Sequence, residues 1–539
     1  MHGGVSDEKE RGTPVEEQTY DVVVVGGGAA GLSGALALAR SRRSVLVLDS
    51  GEPRNAPAAH MHNFLGRDGV PPGELLADGR DELAGYGVEV VTARAGSAVR
   101  DDAGFRVELE DGRAVRGRRL LVTTGLVDEL PAIPGLAGRW GRDVAHCPYC
   151  HGWELRDQRI GVIASGPLSV HQAQMWRQIS PHVLLLLNGG DAPAAEQGEE
   201  LAARGVPVVP GAIESVEVAG DRLTGVRLAD GDVVAVDAVV VGPRFTARSG
   251  VLEALGLVAE PFEMHGHRLG SRIPADESGA TSVPGVWVAG NVTNLGATVA
   301  VAVAGGQTAG AAINMDLIAE DTRAAVAAYR NRIATMFTED AWEERYRGKD
   351  AVWSGRPNPV LVDEVSGLAV GRALDVGCGE GADAVWLAGR GWQVTAVDIS
   401  SVALGRAAGH AADAGLAERI TFRHADLRTD EPGEGYDLVS AQFMHLPPDA
   451  RRELYTRLAA SVGPGGTLLV VGHHPSDLAT SVGRMHFPDM LFTAEEIAGL
   501  LEPGGWKIVT AEARPRTVTD PQGREITIHD AVLVAQRQR

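Results

Sequence analysis

Cysteine is nearly absent: 539 residues hold only Cys147, Cys150 and Cys378. Three thiols cannot build the even disulfide framework of a small secreted domain, so a reducing, cytoplasmic setting is expected. Long apolar runs are also missing. The nearest approach to one, residues 295–313, is broken by Gln307 and several glycines, and it reads as a buried small-residue helix and not as a membrane span. Residues 1–18 are polar and charged, which excludes a signal peptide and predicts a disordered leader. Basic residues fall short of acidic ones, 50 against 71, leaving a formal charge of -21. Such a surface repels phosphate backbones and anionic lipid, so neither nucleic acid nor a membrane is an expected partner. Aromatics are few, at 5%.

Glycine is plentiful instead, 69 residues in all, and this suits α/β folds with many tight strand-to-helix turns. The length predicts roughly three or four folding units. One βαβ unit runs from an apolar strand at 21–25 through an Ala/Leu helix at 29–40 to a strand at 44–49,. A second has strands at 160–164 and 182–187 around a helix at 169–179, and strands resume at 235–241 before a glycine-rich turn at 286–291. A third has strands at 373–376 and 393–398 around a helix at 382–390. The expected fold class is α/β, with two nested Rossmann-like nucleotide-binding domains followed by a third Rossmann-like domain. The first domain is assigned to 19–115 and 236–315, the insert to 116–235, a connecting helix to 316–337 and the last domain to 338–539.

Gly26-x-Gly28-x-x-Gly31 follows a strand and opens a helix, and Asp49 ends the next strand. In that setting the glycines let the backbone turn and approach a pyrophosphate, the helix N-terminus supplies N–H donors, and Asp49 accepts from a ribose hydroxyl. Cys147-Pro-Tyr-Cys150-His151 holds two thiols at bridging distance in sequence. Such spacing means redox exchange or half of a metal site; no second pair completes a zinc site, and no metal is expected. His151 titrates near neutrality and can take a proton from a thiol becoming a thiolate.

Residues 19–320 resemble the thioredoxin-reductase family of flavoproteins. The matching segments are the fingerprint, Leu121-Val-Thr-Thr124-Gly125, Pro131-x-x-Pro134-Gly135, the Cys pair and Val286-Trp-Val-Ala-Gly290-Asn291. The resemblance implies bound FAD, contacted at Thr124, Gly125, Gly290 and Asn291, with Asn291 standing where Asp is usual. It also implies that Cys147 exchanges with substrate, that Cys150 faces the flavin, and that the protein is a homodimer. His151 stands where the reductases carry Asp. The family's second, NADPH fingerprint is degraded to Ala164-Ser165-Gly166-Pro167-Leu-Ser169, and Asn188-Gly189-Gly190-Asp191 replaces its basic cluster, which puts NADPH in doubt. These departures resemble the dithiol oxidases of gliotoxin- and holomycin-type metabolites, so both electron directions stay open. The expected partner is a small-molecule or protein dithiol or disulfide.

Leu374-Asp375-Val-Gly377-Cys378-Gly379-Glu380-Gly381 precedes a helix, and Asp398 ends the next strand. With His424-Ala425-Asp426-Leu427, Tyr436–Ala441 and Gly463-Pro-Gly-Gly466 in order, residues 340–539 resemble class I methyltransferases that use S-adenosylmethionine. The resemblance implies that Asp375, Gly377, Gly379 and Gly381 cradle the donor, that Asp398 accepts its ribose hydroxyls and that Asp426 bonds its adenine amine. Cys378 reads as a small packing residue. Tyr346, Trp353 and Arg356 are candidates for a lid or acceptor pocket, and His445, His473 and His474 for a general base. The expected whole is a bifunctional enzyme, a thiol/disulfide oxidoreductase joined to a small-molecule methyltransferase. The alternative is a redox sensor carrying a silent methyltransferase fold.

Overall fold

The computed structural model describes residues 18–539 apart from 167, 265–266 and 483–486. The leader up to residue 17 and Pro167 therefore lie outside the described residues. The chain divides into two compact units, one ending at Thr322 and one beginning at Arg323.

In the first unit, strand Thr19–Val25 buries Val22, Val23 and Val24 completely. A strand covered on both faces needs consecutive apolar side chains, which is why it shows no alternation. It pairs in parallel with Val45–Asp49 on one side and Ala114–Val122 on the other. The chain order reverses there, and a crevice opens at the carboxyl ends of the strands, where open α/β sheets bind nucleotides. Ala114–Val122 thus belongs to the first sheet, correcting the expected boundary at 116. The insert has its own parallel sheet, in the order Val208–Val209, Val183–Leu186, Ile160–Ile163, Ala238–Val240, Val144–Ala145. Ala238–Val240 falls inside the insert, so the boundary at 236 also moves. Ala238–Val240 is a short apolar run and Ala114–Val122 is apolar only at its end, after Arg116, Arg118 and Arg119, and only their pairing partners decide which sheet takes them. The chain passes between the two sheets along Leu126–Glu129 and returns along Arg244–Ala247, which pair antiparallel.

Val299–Met336 is one helix, where a small-residue helix and a separate connector from 316 were expected. Residues 311–336 contain neither glycine nor proline, so nothing interrupts the hydrogen-bond ladder. The division between units falls within this helix, upstream of the joint expected near 337. Its glycine face packs closely on helix Ala29–Arg40: a Cβ at Gly306 would lie 2.0 Å from the Ala30 carbonyl oxygen, and one at Gly310 2.7 Å from that of Gly34. Arg119 adds an ion pair to Asp316 at 2.6 Å. Among the described residues no helix is long and apolar enough to cross a membrane.

The second unit is built on a seven-stranded sheet in the order Ile420–His424, Gln393–Asp398, Arg372–Val376, Tyr436–Gln442, Val462–His473, Glu525–Arg537, Trp506–Thr519. The first five strands are parallel and the last two antiparallel. Order reverses between Arg372–Val376 and Tyr436–Gln442, so the glycine turn at 377–381 again sits at a switch point. Phe337 is buried in this unit's core, with Ile333 and Met336 packed against it.

Candidate functional site

The turn after Thr19–Val25 is tight enough to exclude side chains. Gly26 has φ 113°, and a Cβ there would lie 2.6 Å from the Thr123 carbonyl oxygen. At Gly27 a Cβ would lie 2.5 Å from Asp49 Cγ, and at Gly31 1.9 Å from the Gly26 carbonyl oxygen. Gly27 was not singled out from sequence, because it occupies a variable position of the fingerprint. Its role follows only from the close approach of Asp49. That carboxylate accepts from the Gly51 N–H at 3.1 Å and from Arg80 Nη2 at 3.0 Å. No side chain caps helix Ala29–Arg40 at Gly28, which leaves its first-turn donors to water or a ligand.

A cavity of about 700 Å³ extends from this turn, within the usual range for ligand sites,. Gly26, Gly28, Asp49, Thr124 and Gly125 line its crevice side. Gly290, Asn291, Cys147, Cys150 and His151 line the rest. Gly31 lies behind the turn and acts on packing. Thr124 Oγ1 donates to the Arg248 carbonyl at 2.5 Å. The Asn291 amide nitrogen donates to the carbonyls of Asn294, Leu295 and Ala297 at 3.1, 3.4 and 3.0 Å, so it ties down the loop before the long helix in a way a carboxylate could not. The cavity's volume, the glycine cradle and Asp49 in its lining fit a dinucleotide,.

Cys147 and Cys150 are free thiols at the start of the short helix Pro148–His151. The Cys150 thiol and the Cys150 and Tyr149 N–H groups donate to the Cys147 sulfur, which brings Cys147 down to about 7 against the opposing effect of burial. The same contact, with burial, pushes Cys150 up. The contact thus sets the two thiols apart, with Cys147 the more easily ionised,. His151 is kept toward its neutral form by burial. Neither of its ring nitrogens has a hydrogen-bond partner among the described residues. Two such atoms in a ligand-sized cavity are costly unless something there pairs with them. His146 instead places Nδ1 3.0 Å from the Val241 carbonyl.

The second nucleotide-type turn is closed on itself. Ser169 Oγ accepts from the Ser165 and Gly166 N–H groups at 3.2 and 3.3 Å and donates to the Gly166 carbonyl at 2.6 Å. Two backbone donors of the turn are thus taken, while no side chain caps the helix Ser169–Trp176 that follows. Asn188 Oδ1 is likewise committed to the Ile213 N–H at 3.0 Å.

In the second unit the Asp398 carboxylate accepts from the Gly379 and Ser400 N–H groups at 2.8 and 2.9 Å. Asp375 is fully buried with one carboxylate oxygen unpaired. Burial first, then Asp383 and Asp398, pushes it well up. Gly379 has φ 55°, and a Cβ there would lie 2.9 Å from Trp353 Nε1 and 3.0 Å from the Tyr346 hydroxyl. The buried Glu380 carboxylate fastens the segment carrying Trp353 by accepting from the Val352 and Trp353 N–H groups and from Arg406. Gly377 approaches Met444 and Gly381 approaches Ala407, each too close for a Cβ. The Asp426 carboxylate is paired with Arg428 at 2.7 Å. Cys378 is packed and its thiol is raised by burial.

The candidate bases separate. His445 Nδ1 lies 2.9 Å from the Phe443 carbonyl, and its Nε2 accepts from the His473 N–H at 2.9 Å. Both ring nitrogens lie against backbone groups, an arrangement better suited to holding the loop than to taking a substrate proton,. His474 Nδ1 accepts from the Ser476 N–H and caps the following turn. His473 stacks on His445 at 4.6 Å and lies 3.8 Å from the buried carboxylate of Asp530.

Comparison with known proteins agrees with this division. Residues 20–306 match the family described as pyridine nucleotide-disulphide oxidoreductase, and residues 373–466 match a methyltransferase domain. The thioredoxin reductase tcpT of Claviceps purpurea is 33% identical over 327 residues, 56% of this chain and 95% of that protein. The thioredoxin reductase sirT of Leptosphaeria maculans is 29% identical, over 57% of this chain and 96% of its own length. The crystal structure of HlmI is 44% identical with a TM-score of 0.54, covering 58% of this chain and 97% of HlmI. The chain belongs to the pyridine nucleotide-disulphide oxidoreductase family through its first half and joins to it, in one polypeptide, a methyltransferase domain.

Proposed function

We propose that the first unit is an FAD-dependent dithiol oxidase and that the second transfers a methyl group from S-adenosylmethionine to a small molecule. The observation that carries the oxidoreductase reading is the single cavity lined by the Gly26–Gly28 turn, Asn291, both thiols of the Cys pair and His151. Gly26, Gly28, Asp49, Thr124, Gly125 and Asn291 would hold FAD, which supplies a two-electron acceptor for the pair. Cys147, the lower of the two thiols, exchanges with the substrate sulfur, and His151 takes the proton a thiol releases. The overall balance is dithiol plus oxygen to disulfide plus hydrogen peroxide.

The direction rests on Ser169. With its hydroxyl already on two of the turn's donors and no basic residue in Asn188-Gly189-Gly190-Asp191, the turn is poorly suited to a nicotinamide dinucleotide, and the substrate dithiol becomes the electron source. A thioredoxin-reductase-like reaction, with electrons flowing outward to a disulfide, is the second reading, favoured by the resemblance to tcpT and sirT. Anaerobic mixing separates the two. Bleaching of the flavin by a dithiol alone, with recovery in air, supports the oxidase; bleaching by NADPH refutes it.

For the second unit, Asp375, Gly377, Gly379, Gly381, Asp398 and Asp426 would hold the donor, and the acceptor X–H leaves as X–CH3 with a proton and S-adenosylhomocysteine. A dithiol is masked either by closure to a disulfide or by S-methylation, so one thiol compound suits both halves. Calorimetric titration with S-adenosylmethionine tests the donor, and no heat of binding would end this part of the reading.

A further inference from the structure

Arg54 lines the same cavity as Cys147 and Cys150 and is held there by two cross-strand neighbours. Asp128 and Phe245 oppose each other in the antiparallel pair Leu126–Glu129 and Arg244–Ala247, so their side chains share a face. Arg54 Nε and Nη2 donate to the two oxygens of Asp128 at 2.7 and 2.6 Å, and the guanidinium lies 5.4 Å from the Phe245 ring centroid. Asp128 is nearly buried, while Arg54 is 30% exposed. Nη1 makes no hydrogen bond to a described residue, which leaves one edge of the fork for an anion. Phe245 in turn meets His146 edge-on at 5.4 Å.

We infer that Arg54 is a positioning residue that holds Cys147 as the thiolate, and that Asp128 sets how strongly it does so. The titratable and charged groups lining the cavity with the pair include Arg54, Asp128, His146, His151 and His62, the last 3.3 Å from Glu154; Asp49, Glu52, His60, Arg94, Glu110 and Arg248 line it too, and of the three guanidiniums Arg54 is the one that acts on the sulfurs. Burial keeps His146 and His151 toward their neutral forms, whereas a guanidinium is charged at every working pH. Arg54 is thus a permanent cation in this cavity, and its charge acts on both sulfurs, less strongly than the contact between the two thiols. A nearby cation favours the charged form of a thiol, and a carboxylate fixed to that cation offsets part of the effect. The Cys147 proton leaves to solvent and no bond to Arg54 forms. A rigid fork pinned by Asp128 and Phe245 delivers the charge at a fixed place, which a flexible lysine would not.

The inference rests on the proposed function only in taking Cys147 as the exchanging thiol, and its test reads that thiol directly. The reduced full-length protein is alkylated with iodoacetamide between about pH 5 and pH 10, and the Cys147 peptide is quantified by mass spectrometry. In Arg54→Gln the inflection is expected to move up by roughly half a pH unit, leaving about threefold less thiolate below it. Asp128→Asn, which keeps the cation and removes its counter-charge, is expected to move the inflection down. Profiles of Arg54→Gln that superpose on the unmodified protein overturn the inference. Should Arg54→Gln not fold, Asp128→Asn decides, since an unchanged or upward profile there overturns it equally. A shifted profile in a protein whose flavin no dithiol bleaches would sink the oxidase and leave Arg54 its role.

Discussion

The Ser169 hydroxyl closes on Gly166, donating to its carbonyl at 2.6 Å and accepting from its N–H at 3.3 Å. With the Ser165 N–H, this takes two donors of the turn before helix Ser169–Trp176. NADPH and NADH are therefore expected to leave the flavin of the purified protein oxidised under nitrogen, even in large excess over flavin. Ser169→Gly should not restore reduction, because Asn188-Gly189-Gly190-Asp191 offers no cation for a 2′-phosphate. Stopped-flow absorbance at the flavin band checks both statements.

Asn291 shows that an amide can be required where a carboxylate is usual in the family. Its nitrogen faces three backbone carbonyls, so Asn291→Asp would set an anion against three acceptors. A lost hydrogen bond with unpaired partners costs about 1–3 kcal/mol. Asn291→Asp is expected to lower Tm and FAD retention more than Asn291→Ala, which removes the donor without adding charge. Thermal melts and flavin-to-protein absorbance ratios read the order, and the reverse ranking would remove the three-carbonyl tie as its explanation.

What was legible in the sequence is what local chemistry writes. Gly26, Gly28, Gly31 and Asp49, the Cys147/Cys150/His151 run and the 375–398 turn each declare themselves within one βαβ unit, where glycine spacing and apolar runs are enough. What was illegible depends on pairing between distant segments. Neither Ala114–Val122 nor Ala238–Val240 carries a mark of its sheet. Arg54 meets Asp128 only because a strand passes between the two sheets there. Gly27 gains meaning only once Asp49 stands against it, and His445 only once the backbone at His473 meets its ring. Each of these is a long-range contact with no periodic signature.

Gly27 offers a clean test of the flavin cradle. A methyl group there would lie 2.5 Å from Asp49 Cγ and 2.6 Å from Asp49 Oδ2, and Asp49 is anchored by Arg80 and the Gly51 N–H and cannot retreat freely. Gly27→Ala is expected to fold, to lose FAD on gel filtration, and to regain it only at raised FAD concentration, with a Kd weaker by roughly tenfold or more for each 1.4 kcal/mol of displacement. An unchanged FAD affinity in Gly27→Ala would mean that Asp49 yields to the added methyl.

The second unit should answer to pH through its buried carboxylates. Burial raises Asp383 to about 6 even though it accepts from the Asn358 N–H at 2.7 Å, and it raises Asp398 and Asp375 as well. A carboxyl raised in the folded state binds protons more tightly there than in the unfolded chain. Without donor, stability therefore falls as pH rises from about the unfolded value of 4 through the folded one. The methyl donor brings a sulfonium and an ammonium, which favour the ionised carboxylates, so its affinity should rise across the same window. The Tm gain from S-adenosylmethionine is expected to be larger near pH 7.5 than near pH 5.5. S-adenosylhomocysteine, lacking the sulfonium charge, should show a flatter dependence, and Asp383→Asn should flatten the donor's own. Equal gains at both pH values would mean that these carboxylates do not face the donor's charge.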